Sequence, residues 1–252
     1  MKNCNLVSTP IEPGAKLSKY DEGEQVDANR YQSLVGSLRY LTCTRPDLSL
    51  SVSIISWFME EPIYSHWMSL KRVLWYIQGT VSLGLFYSKT EDYKLVGYSD
   101  SDWCGDIDDR KSTSGYVFFM GNTTFTWLSK KQPIMTLSMC ETEYVAASWC
   151  GCHAIWLRNL LSEMELKQQG SIEIQVDNKS TIELAKNPMT HERSKHIDVR
   201  FHFIRDHVKE GNVELLHVAS QDQVVDIFTK PLPKVLFDKY KKMIGMTDGR
   251  SI

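Results

Sequence analysis

The sequence predicts an α/β fold, a mixed five-stranded sheet flanked by helices and preceded by a small helical module. Three observations carry this reading. Strand-type patterning occurs three times in succession between Gly84 and Leu128, then again at Ile172 to Asp177 and at Val213 to Val218. Helical stripes separate these segments in the order three strands, helix, strand, helix, helix, strand, helix. Before residue 84 only helical periodicity appears. The chain has 252 residues, 42% hydrophobic and 24% charged, which is enough for one large or two small folded domains and excludes wholesale disorder.

Residues 1–28 are polar, contain Pro10, Pro13, Gly14 and Gly23, and read as an extended lead-in cut from something longer. From Asn29, Leu34, Leu38 and Leu41 form one helical stripe that stops before Arg45-Pro46. A second helix is predicted from Pro46 to Glu60. A third is capped by Ser65, carries Leu70, Val73, Leu74 and Ile77 on its buried face, and stops at Gly79. These helices define a module over 29–90, followed by a second domain over 91–235 and a C-terminal tail over 236–252. In the second domain, YVFFMGNTTFTWL places two strands around Gly121-Asn122, a tight-hairpin signal. Ser138 and Glu141 form a capping box at the head of a long helix reaching about Met164.

Composition narrows the function. A formal net charge of -2 excludes a globally basic nucleic-acid binder and leaves room for a local basic face. The six cysteines include no C-x-x-C pair and read as reduced thiols. No stretch resembles a signal peptide or approaches the ~18 apolar residues of a membrane span.

Chemistry is expected from carboxylates. Glu91, Asp92, Asp100, Asp102, Asp106, Asp108 and Asp109 face only Lys94 within residues 91–109, a density that fits a solvated acidic loop or one bound to cations. Asp100 ends the strand LVGYS and Asp177 ends IEIQV. Each could cap a helix or turn, and each could equally project beyond the sheet into a site. On the long helix, Glu143 shares its face with Ala146, Ala147, Cys150, Ala154, Leu157 and Leu161, so its carboxylate must be protonated, paired or beside a cation. Glu141 has a capping role instead, which makes Glu143 the preferred candidate. Asp226 in DQVVDIF is either the exposed face of an amphipathic turn or a fourth ligand. Asp100, Glu143, Asp177 and Asp226 together would make an oxygen-rich site for two Mg²⁺ ions, with Mn²⁺ as a substitute, suited to phosphodiester hydrolysis.

The segments YSDSDW, LSMCETEYVAAS, QVDNKSTIELAKNP, HERSKHIDVRFHFIRD and DIFTKPL resemble the ribonuclease H domain of copia-type LTR-retrotransposon Pol polyproteins. Upstream, YQSLVGSLRYLTCTRPDLSLSV and HWMSLKRVLWYIQGTVSLGLFY are similar to the reverse-transcriptase thumb or connection of the same polyproteins. The resemblance implies an RNase H-like fold that cuts the RNA strand of an RNA–DNA hybrid, with Asp100, Glu143, Asp177 and Asp226 as the catalytic metal-binding acids. It also implies the remainder of a Pol polyprotein or reverse transcriptase as partner, no membrane, and an intracellular setting, in cytoplasmic particles or the nucleus. No Y-x-D-D sequence occurs, so this chain alone is not expected to polymerise DNA. The loop before Asp226 has Gln221 and Asp222 where many such enzymes carry a histidine.

Arg193, Lys195, Arg200 and Arg205 lie in a basic stretch and are candidates for phosphate contact, although a solvated helix face explains any one of them as well. His191, His196, His202, His207 and His217 lack a credible set of zinc partners. Trp103, Trp127, Trp149 and Trp156 sit in registers that favour core packing over base stacking. The rival to an enzyme is a catalytically silent retroelement fragment that folds and binds nucleic acid without cutting.

Overall fold

Asp27 opens the first helix because its carboxylate accepts the backbone N–H groups of Asn29 (2.9 Å) and Arg30 (3.3 Å), donors that a helical first turn leaves unpaired. Helix α1 (Ala28–Leu41) buries Tyr31, Val35 and Leu38. The structure is a computed structural model that describes residues 5–87, 89, 93–186 and 198–251, with backbone alone at 198–201 and 251.

The helix expected over Pro46 to Glu60 is divided and shorter. Pro46–Leu48 forms a 3₁₀ turn and α2 covers Ser49–Ser56. Beyond Ser56 the amides of Trp57 and Phe58 bond only three residues back, and the buried Phe58 ring stacks on His66 with centroids 3.9 Å apart. Helix α3 (Tyr64–Gly79) ends at the expected glycine but is not capped by Ser65. Ile63 occupies the N-cap, its N–H bonding His66 Nδ1 at 3.2 Å, while His66 Nε2 lies 3.0 Å from the Ser18 carbonyl. These two bonds require the neutral ring with its proton on Nε2.

A buried ion pair joins the helices. The Arg45 guanidinium donates to both Asp47 oxygens at 2.9 and 2.8 Å and to the Thr80 carbonyl at 3.1 Å. The Tyr76 hydroxyl donates to Asp47 Oδ2 at 2.7 Å.

Among the described residues seven strands follow or interleave: β1 (Leu83–Leu85), β2 (Leu95–Ser101), β3 (Thr113–Met120), β4 (Thr123–Lys131), β5 (Ile172–Val176), β6 (Val213–His217) and β7 (Met246–Asp248). Five of them form one mixed sheet in the order β4-β3-β2-β5-β6, antiparallel from β2 through β4 and parallel from β2 through β6. The β3–β4 hairpin closes with Met120 opposite Thr123, and Gly121 supplies the positive φ (59°) that the turn needs. Helix α4 (Met139–Glu163) lies against the sheet and buries the predicted stripe from Glu143 to Leu161. Ser138 Oγ accepts the Glu141 N–H as expected, but the Glu141 carboxylate reaches one residue further and takes the Leu137 N–H at 2.7 Å. Helices α5 (Lys179–Lys186) and α6 (Asp198–Lys209) complete this layer.

On the other face, α7 (Asp226–Thr229) and α8 (Lys234–Met243) join the helical module in one apolar core. Tyr31, Leu48, Ile55 and Tyr76 belong to the same buried cluster as Val117, Val225, Phe228, Phe237 and Tyr240. Residues 236–252, read as a tail, therefore contain most of α8 and all of β7, which pairs antiparallel with β1. The amphipathic signal there was a single turn of Phe237 and Tyr240, too short to register without its partner surface.

Asp47→Ala leaves the buried Arg45 charge uncompensated and is expected to cost about 3–5 kcal/mol of stability, read from urea unfolding midpoints. Burial lowers the His66 pKa against the pull of the Ser18 carbonyl, Asp21 and Asp108. The unfolded chain then takes up a proton more readily than the native one, so stability is complete above about pH 6.5 and falls as the pH drops below it. A urea-midpoint series from pH 7.5 to 5 should show a shallower fall in His66→Gln than in the unmodified chain; equal slopes would contradict a neutral His66.

Candidate metal centre

Strand order places the site. The chain leaves β2 toward β3 and β4 on one side and returns at β5 on the other, so β2 and β5 flank a topological switch point, where α/β sheets open a crevice beyond the carboxyl ends of their strands. Tyr98 pairs with Gln175, and that parallel register carried two residues on sets Asp100 level with Asp177. Glu143, in the second turn of α4, completes the group. One ligand oxygen from each of Asp100, Glu143 and Asp177 lies within 4.8 Å of the other two.

Asp100 is fully buried and Glu143 only 7% exposed. The Thr229 hydroxyl donates to Asp100 Oδ2, and the Lys230 ammonium lies 3.3 Å from Asp100 and 2.6 Å from Asp226 Oδ1. The Ser101 N–H donates to Glu143 Oε1 at 3.3 Å, whereas Glu143 Oε2 is buried with no hydrogen-bond partner. Burial first, then Asp100 and Asp177, push the Glu143 carboxyl well above the usual carboxylate range. Asp177 is raised by burial and by Asp100. Asp226 is pushed up to about 6 by burial and Asp100, despite Lys230. Asp226 is thus electrostatically part of the group but bound to it through Lys230, outside the three-carboxylate cluster.

The donors suit a hard divalent cation. All are carboxylate oxygens, and the orphaned Glu143 Oε2 is a buried acceptor that no protein donor satisfies.

Two supporting features escaped the sequence reading. Gly115 pairs with Asp100 across β2 and β3, and a Cβ there would lie 2.9 Å from Phe228 Cβ, so glycine lets α7 approach close enough to present Thr229 and Lys230. The buried Gln132 amide donates to Ser114 Oγ (2.7 Å) and to the Thr142 carbonyl (3.1 Å), tying the start of α4 to the sheet. Lys230 had a readable signal, since it stands four residues after Asp226.

The acidic stretch is not a freely solvated loop, and beyond Asp100 it reaches the centre through Asp102, whose carboxyl is pushed up to about 7 by burial and by Asp100 despite the Thr113 N–H and Lys230. Lys131 bridges Asp106 and Asp109, Lys111 pairs with Asp109, and Asp108 accepts from Ser18 Oγ and the Lys19 N–H. Glu91 and Asp92 lie outside the described residues. So do Arg193 and Lys195, with His191 and His196; Arg200 is described in its backbone only. Arg205 is half-buried on α6 within electrostatic reach of Tyr144, its Nε without an acceptor. Core packing fails for Trp103 and Trp156, which are 53% and 55% exposed. Trp156 stacks on His153 beside the α4 stripe, and the stripe itself faces the sheet.

A five-stranded mixed sheet of this order, with helices on its faces and acids gathered at the switch point, defines an RNase H-like domain. No family model matches the chain. It is 39% identical over 247 residues to the Retrovirus-related Pol polyprotein from transposon RE1 of Arabidopsis thaliana, and 39% identical over 253 residues to that from transposon TNT 1-94 of Nicotiana tabacum. Each alignment covers 98% of this chain. Along nearly its whole length the chain is thus similar to Pol polyproteins of copia-type transposons, and it spans 17% and 19% of the length of these two relatives. Among solved structures, LC11-RNase H1, isolated from compost by a metagenomic approach, aligns with 58% of this chain and 97% of its own at 15% identity and a TM-score of 0.42.

At 4.8 Å, two like charges repel by about 3 kcal/mol at an effective dielectric of ~20. Glu143→Gln is therefore expected to stabilise the metal-free chain at neutral pH by on the order of 1–3 kcal/mol. Urea unfolding in EDTA measures it, and a destabilised variant would show that the cluster carries no such repulsion.

Proposed function

We propose that the chain is a divalent-metal ribonuclease H that hydrolyses the RNA strand of RNA–DNA hybrids as part of a Pol polyprotein. The observation that carries this reading is the convergence of Asp100, Glu143 and Asp177, drawn from two strand ends and a helix, in a chain of Pol lineage. Asp100, Glu143 and Asp177 would hold Mg²⁺, with Asp226 contributing from the α7 side; Mn²⁺ has the same preference for oxygen ligands. The chemistry that two such ions supply is activation of water and neutralisation of the leaving oxygen.

The protein's own groups have separate tasks. Thr229 and Lys230 hold the Asp100 carboxylate in a fixed orientation through both of its oxygens. The Ser101 N–H fixes Glu143 Oε1 and leaves the buried Oε2 without a protein donor. Arg205 on α6, with Arg193, Lys195 and Arg200 from the sequence reading, would contribute phosphate contacts that depend on salt and not on base identity. Discrimination of a hybrid would rest on groove shape and the 2′-hydroxyls.

Incubation with a labelled RNA–DNA hybrid and Mg²⁺ tests the reading. The unmodified chain should cut the RNA strand, and Asp100→Asn and Asp177→Asn should each lose at least ~100-fold in rate while remaining folded. Hybrid binding without cleavage by the unmodified chain would identify the silent fragment instead.

A further inference from the structure

We infer that the outer side of α4 carries a second nucleic-acid site, an aromatic platform on which an unpaired base of a single strand stacks against Trp156. The site stands apart from the acidic centre, because Glu143 and Trp156 are separated along α4 by roughly 20 Å at ~1.5 Å per residue. Three rings form a column there. Tyr116 on β3 stacks on His153 with centroids 5.0 Å apart and planes at 27°, and His153 stacks on Trp156 at 5.3 Å and 26°. The column is rooted in the sheet: Tyr116 pairs with Leu128 of β4, and the Thr126 hydroxyl lies 3.2 Å from His153 Nε2. Its other end is open, since Trp156 is 55% exposed. A large indole held in place by its neighbours and left bare to water marks a contact surface, not a core position.

Shape and charge select the occupant. Beside the column lies an open hollow of about 350 Å³, within the ~300–1,000 Å³ range of small-ligand sites. Its lining includes Leu128, Lys130 and Trp149 as well as the three stacked rings and, among the described residues, no carboxylate. Lys130 Nζ sits 6.0 Å from the centroid of the half-buried Trp149 ring, a cation–π seat that keeps the ammonium at the rim. Burial lowers the His153 pKa, so the middle ring of the column is neutral at pH 7. A bare π face with one ammonium beside it matches a base and its phosphate: stacking accepts any base, and the cation takes the backbone charge. The interior bases of a double helix are already stacked on one another and cannot use the platform. The ligand is therefore a single strand, DNA or RNA alike.

Labelled hexaadenylate, as DNA and as RNA, is titrated into the intact chain in EDTA and followed by fluorescence anisotropy and by tryptophan quenching. Both forms should bind and quench. Trp156→Leu should bind about tenfold more weakly, while Trp156→Phe, which keeps a ring, should stay close to the unmodified chain. Lys130→Gln should flatten the fall of log affinity with log salt by about 0.7, the share of one phosphate contact on a single strand. Photo-crosslinking of an iodouracil-bearing oligomer to the unmodified chain, mapped by mass spectrometry, should label Trp149, His153 or Trp156; it needs no variant and decides the matter if Trp156→Leu fails to fold. The inference is overturned by absence of binding, by equal affinity of folded Trp156→Leu, by an abasic oligomer that binds as tightly as hexaadenylate, or by crosslinks confined to other residues. It is also overturned if sedimentation shows a dimer that Trp156→Leu dissociates, since the platform would then be covered by a second copy of the chain. Cleavage plays no part in these measurements, so their outcome is independent of the ribonuclease assay above.

Discussion

The structure is organised around a repulsion. Asp100, Glu143 and Asp177 bring ligand oxygens within 4.8 Å of one another in a place where two of the three are buried. Unaided, such a group would hold protons or push apart, and the raised carboxyl affinities of Glu143, Asp177 and Asp226 record that tension. Only a rigid frame can keep the charges together. The β2–β5 register fixes two of them, and the N-terminal part of α4, held to the sheet by Gln132, fixes the third.

The frame reaches beyond the sheet. Residues Phe228, Phe237 and Tyr240 of the C-terminal segment share a core with Tyr31, Leu48 and Tyr76 of the helical module. Helix α7 is thereby clamped between the helices and β3, and it is α7 and the residue after it that present Thr229 and Lys230 to Asp100. The helical module thus contributes to the acidic centre by holding α7 in place. Its own buried ion pair, Arg45 with Asp47 and Tyr76, shows the opposite solution to buried charge, a pair with every partner supplied. At the acidic centre one oxygen of Glu143 is left without a partner. On the proposed metal-binding reading, stability and function pull in opposite directions there, because an acceptor satisfied by a protein donor could not serve a cation.

Much of this was legible before any coordinates. The α4 stripe identified Glu143 as a carboxylate on a buried face, and the strand ends singled out Asp100 and Asp177. What was misread shares a cause. Ser65 looked like a cap, yet His66 serves Ile63 because the ring is held from behind by Phe58 and Ser18. The acids of residues 91–109 looked unpaired because Lys111, Lys131 and Ser18 lie outside that window in sequence. Trp156 looked like a core residue because register alone does not say which helix face meets the sheet, and Trp103 because the strand register stops at Ser101, two residues before it.

The sequence by itself determined the element order, the hairpin and the burial of Glu143, since period, turn chemistry and capping act over a few neighbouring residues. Only the tertiary structure decided that Lys230 stands between Asp100 and Asp226, that the C-terminal segment completes the helical core, and that the three acids meet. Apart from the Lys230–Asp226 pair, four residues apart, those are contacts between residues tens to more than a hundred positions apart, and no local pattern encodes the distance at which two such side chains will come to rest.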